Sequence, residues 1–319
     1  MTKLLNILII VLALGLVAVI LLPQIQENRP RELRFVCDSS VSALPFLVGV
    51  DDSVFIRNRI IPELSFYSDP EDGLERLFAG EFDVGVFPWT TVLKHIAGGG
   101  ETLMVFMDQE FRATLAVDAI VVPAKSKVDE VGKLSRARFA YPPQLRDCIK
   151  PFLINTNIAE ENITLIEMPL SELVPALRAG EADAAWLLEP HICTLDSTEF
   201  RILQPAALPK YVSAPFPGAA IGFAPGMLDE SKVLLSRLKI STDATLATIE
   251  NDAALALEIV GRYFPESKDR NCRLPEVHRL VGINRPAVSA LSDRLKVAGV
   301  LENEVATGNL FVQPAKLTR

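Results

Sequence analysis

Between about residue 33 and residue 225, short apolar runs alternate with longer stretches whose apolar residues recur at helical spacing. This alternation predicts an α/β protein with mostly parallel sheets. Residues 33–37 read as the first buried strand, closed by Asp38, Ser39 and Ser40, which are turn and cap residues. Beyond Asp229 the apolar positions, among them Leu234, Leu235, Leu238, Leu246 and Ile249, keep helical spacing, so the C-terminal part is expected to be mainly helical. Ahead of the body, residues 4–22 are apolar except for Asn6. A helix of that length covers about 28 Å, the hydrocarbon thickness of a bilayer. The run ends in Leu21, Leu22, Pro23 and Gln24, without the small residues of a cleavage site, which predicts an uncleaved transmembrane anchor with residues 1–31 as anchor and linker.

One internal repeat organises the body. Leu77, Ala79, Gly80, Glu81 and Asp83 recur one hundred positions later as Leu177, Ala179, Gly180, Glu181 and Asp183. In each copy a helical pattern runs into a Gly that can close a helix in the left-handed conformation, and an acidic pair leads into a short apolar strand, 84–87 or 184–188. Two copies of one helix-Gly-strand unit predict two similar α/β lobes. Ligands of open α/β sheets bind beyond the carboxyl ends of the strands, so both strand ends should face one cleft.

Composition narrows the function classes. The chain has 32 Lys and Arg against 40 Asp and Glu, a net charge of -8, which argues against a polyanion as main partner and makes nucleic acid unlikely. Four cysteines, Cys37, Cys148, Cys193 and Cys272, are too few for a disulfide scaffold in 319 residues, and none forms a Cys-x-x-Cys pair. Cys148 and Cys193 both follow expected strand ends and are candidates to pair. His95, His191 and His278 lack the spacing of metal ligands. Phosphate-binding and dinucleotide-binding glycine loops and a nucleophile elbow are also missing, so no cofactor and no catalytic residue is expected.

Residues 74–98, 107–122 and above all the run from Met168 through Leu173, Leu177, Gly180, Asp183 and Trp186 to Pro190 resemble the periplasmic substrate-binding proteins of nitrate, sulfonate, taurine and thiamine-pyrimidine ABC importers. The resemblance implies a type 2 periplasmic-binding-protein fold: two α/β lobes with a hinge, preceded here by one transmembrane helix. Lobe one would be residues 33–122 plus 208–319 and lobe two residues 123–207. It also implies a body outside the cytoplasm, a small-molecule ligand of amine, sulfonate or pyrimidine type, an ABC permease as partner and, through the N-terminal helix, the lipid bilayer of the inner membrane.

Carried onto this chain, the ligand-binding positions are Asp38, Ser39 and Ser40 after the first strand, Pro88, Trp89 and Thr90 after the first repeat copy, and Asp108 and Arg112 in a polar segment. From lobe two come Tyr141, Gln144 and Arg146, then Trp186 and Glu189. Trp89 and Trp186 are the only tryptophans, both at repeat strand ends, where an aromatic face with an N–H donor suits a small organic ligand. The chain departs from the family where Pro142 and Pro143 replace the Gly/Ser-rich turn whose backbone N–H groups hold an anion. Two other readings compete with transport. Residues 277–295 have helix-turn-helix spacing, in a C-terminal segment, 270–319, with eight basic against four acidic side chains, which fits a membrane-tethered, ligand-sensing regulator. An anchored enzyme on the same fold is the other.

Overall fold

The computed structural model describes residues 29–317 apart from position 231, together with three helical positions, Leu12, Gly15 and Val19. Apart from those three, the anchor expected over residues 4–22 lies outside the described residues, among which no helix is long and apolar enough to cross a membrane.

The described strands are β1 (Arg31–Cys37), β2 (Ile60–Phe66), β3 (Val84–Pro88), β4 (Met104–Phe111), β5 (Asp118–Pro123), β6 (Arg138–Tyr141), β7 (Thr164–Glu167), β8 (Ala184–Leu188), β9 (Phe200–Pro205), β10 (Phe216–Phe223) and β11 (Glu276–Arg279). They form a six-stranded sheet in the order β11-β4-β10-β3-β1-β2 and a five-stranded sheet in the order β7-β6-β8-β5-β9. The strands joined through helices pair in parallel, β1 with β2 and β3, and β6 with β7 and β8. Those that carry the chain between sheets, β5 and β10, pair antiparallel with both neighbours.

The repeat is visible as matching architecture. Phe35 pairs with Val84 in the first sheet, and Phe139 pairs with Ala184 in the second. Helix Pro70–Phe78 is followed by Gly80 at φ 78°, and helix Leu173–Ala179 by Gly180 at φ 71°, the left-handed backbone that glycine adopts without a Cβ clash. Each repeat Asp then locks the neighbouring strand. Asp83 accepts the backbone N–H of Arg34 at 2.8 Å and pairs with its guanidinium at 2.8 Å, and Asp183 does the same with Arg138 at 2.8 and 2.7 Å. Half-exposed ion pairs contribute little. The backbone bond, however, fixes the turn ahead of β3 or β8 against the start of β1 or β6, which is where register is set.

The lobes exchange chain at 112–117 and 206–215, because β5 lies in the second sheet and helix Ala207–Tyr211 hangs on β5 through the Leu208 N–H bond to Asp118. The boundary expected at 208 falls within the second of these stretches and the one expected at 122 within β5; the six residues from Arg112 to Val117 contain neither Gly nor Pro to mark a break. The helix-turn-helix reading fails here. Residues 276–279 are not a helix but strand β11, which covers the edge of β4 with His278 opposite Asp108, leaving Arg285–Val297 as the single helix of that motif.

Candidate functional site

The carboxyl ends of β1 and β3 and the end of β4 meet the end of β8 and the turn after β6 around a cavity of about 20 Å³, roughly the room of a single water. Lobe one contributes Asp38, Ser42, Tyr67, the stretch Val86, Phe87, Pro88 with Thr90, and Phe111, Phe216 and Gly218. Lobe two contributes Gln144, Leu145, Leu188 and Leu208. Gly218 is required by this geometry. A Cβ there would lie 2.4 Å from the Phe111 ring, and the β4–β10 register shifts at the same place, between Pro217 and Ala219.

Asp38 sits at the end of β1 with 2% of its surface exposed. Both carboxylate oxygens accept the Ser40 hydroxyl, at 3.0 and 2.9 Å, and the Ser40 oxygen in turn accepts the N–H of Ser42 at 3.1 Å. Burial pushes the Asp38 carboxyl up to about 6, against the opposing effect of the Ser40 bonds. Gln144, 5% exposed, has its Oε1 without a hydrogen-bond partner among the described residues. The Tyr67 hydroxyl is satisfied, donating to the carbonyl of Val86 at 2.8 Å.

Of the residues expected to bind ligand, Asp38, Pro88, Thr90 and Gln144 line this cavity and Ser40 holds one of them. The others do not line it. Trp89, fully buried, begins helix Trp89–Ala97 and packs its ring 6.0 Å from that of Phe311 in the lobe-one core. Trp186 lies inside β8, all five of whose residues are buried, with its ring 5.0 Å from Phe152 and 6.2 Å from Phe139. Its indole N–H donates to Asp118 Oδ2 at 2.9 Å, and the same oxygen accepts Leu208 N–H at 2.9 Å. The sequence placed both tryptophans at strand ends, but a strand-end position does not fix which way a side chain points. Asp108 faces the other edge of β4, where it binds His278 Nδ1 at 3.1 Å, and this contact holds the His278 imidazole up at about 9. Arg112 is tied to Glu110 at 2.6 Å and Glu276 at 2.9 Å. Ser39 and Tyr141 are partly exposed at the ends of β1 and β6.

Arg146 and Glu189 join the lobes. Arg146 reaches Asp69 at 2.7 Å and Glu71 at 3.3 Å across the cleft, and Glu167 at 2.5 Å in its own lobe. Lys94, held by Glu71 of its own lobe at 2.7 Å, returns the bridge to Asp147 of lobe two at 3.1 Å. Glu189, 2% exposed, accepts the backbone N–H of Cys193 at 2.9 Å and, across the lobes, that of Arg273 at 3.1 Å, while its carbonyl accepts Val41 N–H at 3.1 Å. Burial raises its carboxyl to about 7. Beside it Cys193 and Cys272 form a disulfide, so the expected Cys148–Cys193 pairing is replaced by a bond between lobes; Cys37 and Cys148 are free and buried. Glu189, Cys193 and Cys272 have donor atoms within 4.8 Å, but with both sulfurs bonded to each other the cluster offers a metal only a carboxylate.

Sequence reasoning missed Tyr67, Phe216 and Gly218. A glycine inside an otherwise apolar strand, as at Gly218, was the available signal, since it marks a bulge or a close approach.

No family model matches the chain, and no curated protein matches it in sequence. Solved structures do match. The alkanesulfonate-binding protein SsuA from Xanthomonas axonopodis pv. citri, bound to MOPS, superposes with a TM-score of 0.70 at 17% identity, over 89% of this chain and 99% of that one. The periplasmic aliphatic sulphonate-binding protein SsuA from Escherichia coli gives 0.66 at 13% identity, covering 88% and 96%. The periplasmic nitrate-binding protein NrtA from Synechocystis PCC 6803 gives 0.64 at 10% identity, covering 88% and 84%. At these identities the likeness is one of fold, and the fold is the two-lobed periplasmic-binding-protein fold.

Proposed function

We propose that this chain is an extracytoplasmic solute-binding protein that captures a small organic ligand between its lobes and hands it, unchanged, to an ABC permease. The observation that carries the reading is a cavity into which both lobes turn their strand ends, with two chain crossings about which the lobes can close. The solved structures of the same fold are named for binding sulfonates or nitrate. The disulfide favours an exported body, because such bonds persist in oxidising compartments. With the apolar run at 4–22, this supports a single-pass anchor in the inner membrane with the lobes on the outer side. The net negative charge of the chain fits a partner other than nucleic acid.

Two experiments test it. A reporter fused after residue 319 should be active as alkaline phosphatase and inactive as a cytoplasmic-only fluorescent protein; the reverse pattern would refute the location. A ligand bound at a hundredfold excess over its Kd should raise the stability of the body by about 2.7 kcal/mol and be recovered intact. Recovery of a converted product would replace transport with catalysis.

A further inference from the structure

The solute-binding reading leaves the chemistry of the solute open, and the cavity's own polar groups constrain it. Two groups from opposite lobes present acceptors to the same space. Asp38 offers a carboxylate whose one side-chain partner is the Ser40 hydroxyl, and Gln144 offers an Oε1 that nothing among the described residues satisfies. An acceptor buried to this degree and left unpaired is destabilising, and a bound donor would relieve it. No Lys, Arg or His is among the residues that line the cavity. The cations that bridge the lobes at the cleft rim, Lys94 and Arg146, are each held by two or more carboxylates. The turn that leads to Gln144 carries Pro142 and Pro143, which have no N–H to offer an anion.

The rest of the wall is apolar and aromatic. Tyr67 and Phe87 stack at 5.6 Å and Phe111 and Phe216 lie at 6.0 Å, so two aromatic pairs border the acceptors. Aromatic faces attract a cation and give nothing to an oxyanion.

We propose that the cleft selects a small organic cation carrying at least two N–H donors, a primary ammonium or guanidinium group, with Asp38 taking the charge and Gln144 Oε1 a second N–H. This rests on the solute-binding reading and inverts the ligand charge suggested by the sulfonate and nitrate binders of the same fold. The cavity as it stands admits a group of about water size, so a cation enters only as the lobes part, and the first probes are small carriers of the two donors, methylammonium, ethylammonium and guanidinium, at millimolar concentration.

Titration calorimetry on the purified full-length chain, with these cations against methanesulfonate and nitrate, decides it. Saturable heat and a rise in melting temperature with at least one cation, and none with the anions, are expected. Asp38→Asn should weaken that cation by about 10- to 100-fold, the worth of a charge-assisted bond. Because Asp38 is buried and its replacement could cost folding, Gln144→Leu provides a second variant. It removes the unpaired oxygen, so stability should hold or rise while cation affinity falls. Saturable binding of an anion and of no cation would overturn the proposal and leave the solute-binding reading standing. A cation bound equally by wild type, Asp38→Asn and Gln144→Leu would place it outside this cavity and also overturn the proposal. If none of the five probes binds, the proposal fails; whether the solute-binding reading fails with it is then read from lobe closure, by small-angle scattering against a wider panel of metabolites.

Discussion

Replacing Trp186 by Phe should cost stability and spare the ligand cavity. The substitution removes the indole N–H from Asp118 Oδ2, and Oδ1 of the same carboxylate already has no partner. A hydrogen bond to a buried charge is worth about 1.5–3 kcal/mol. The upper figure does not apply, because Asp118 has another way out. Burial already lifts its carboxyl to about 6, so at pH 7.5 it can take up a proton for about 2 kcal/mol instead of remaining charged and underbonded. The smaller ring leaves space between Phe139 and Phe152 worth about 1 kcal/mol more. The expected total is about 3 kcal/mol at pH 7.5. At pH 5, where the wild-type carboxyl is itself mostly protonated, the loss should shrink by about 1 kcal/mol. Urea unfolding followed by far-UV circular dichroism at the two pH values measures both numbers. A loss under 0.5 kcal/mol at pH 7.5, or one that grows at pH 5, would show that the Trp186–Asp118 bond does not hold as described.

Stability should fall as pH rises from about 5 to 9. Asp38 and Asp118 at about 6 and Glu189 at about 7 all bind protons more tightly folded than unfolded, so their contribution is full below about pH 4 and is lost as pH passes those values. His278, raised to about 9 by Asp108, contributes below about 6.5 and loses that through 9, while His95 and His191, lowered by burial, act in the opposite sense below about 6.5. A melting temperature that climbs between pH 6 and 9 would contradict this. Arg146→Ala should cost under about 1 kcal/mol, since its partners are partly exposed, yet enlarge the radius of gyration by freeing the lobes, and 0.5 M salt should do the same to wild type. Unchanged scattering in both would show that the rim ion pairs do not hold the cleft shut. Gly218→Ala should lose about 1–3 kcal/mol through the clash with Phe111, read as a lower urea midpoint; a neutral result would mean that the ring moves aside freely.

Periodicity carried the fold a long way because the lobes are built from one repeated unit. Gly80 and Gly180, and Asp83 and Asp183, are local chemistry that a linear pattern records. The crossings at 112–117 and 206–215 left no such mark, since the strands on either side are equally apolar and differ only in the sheet they join. In the site, Asp38, Pro88, Thr90 and Gln144 were legible because they follow strand ends. The tryptophans misled: the same position admits a side chain pointing at the cleft or into the core, and Trp186 goes where Asp118 and Phe152 receive it. Phe111 and Phe216 belong to strands that pair 105 residues apart in sequence, and only the folded register puts them on one wall.

The bond between Cys193 and Cys272 changes what kind of linkage the two lobes make. Its ends are 79 residues apart and enclose the second crossing, so in the unfolded chain it closes a loop whose entropy is worth about 4.5 kcal/mol. In the folded chain it is a third point of attachment beside the two backbone crossings, with its Cα atoms 5.0 Å apart. Three fixed points leave little room for the lobes to twist against each other; what remains is a swing with the sulfurs as part of the axle. A protease cut anywhere in 206–215 would therefore yield two pieces that travel as one on a gel until a reductant is added.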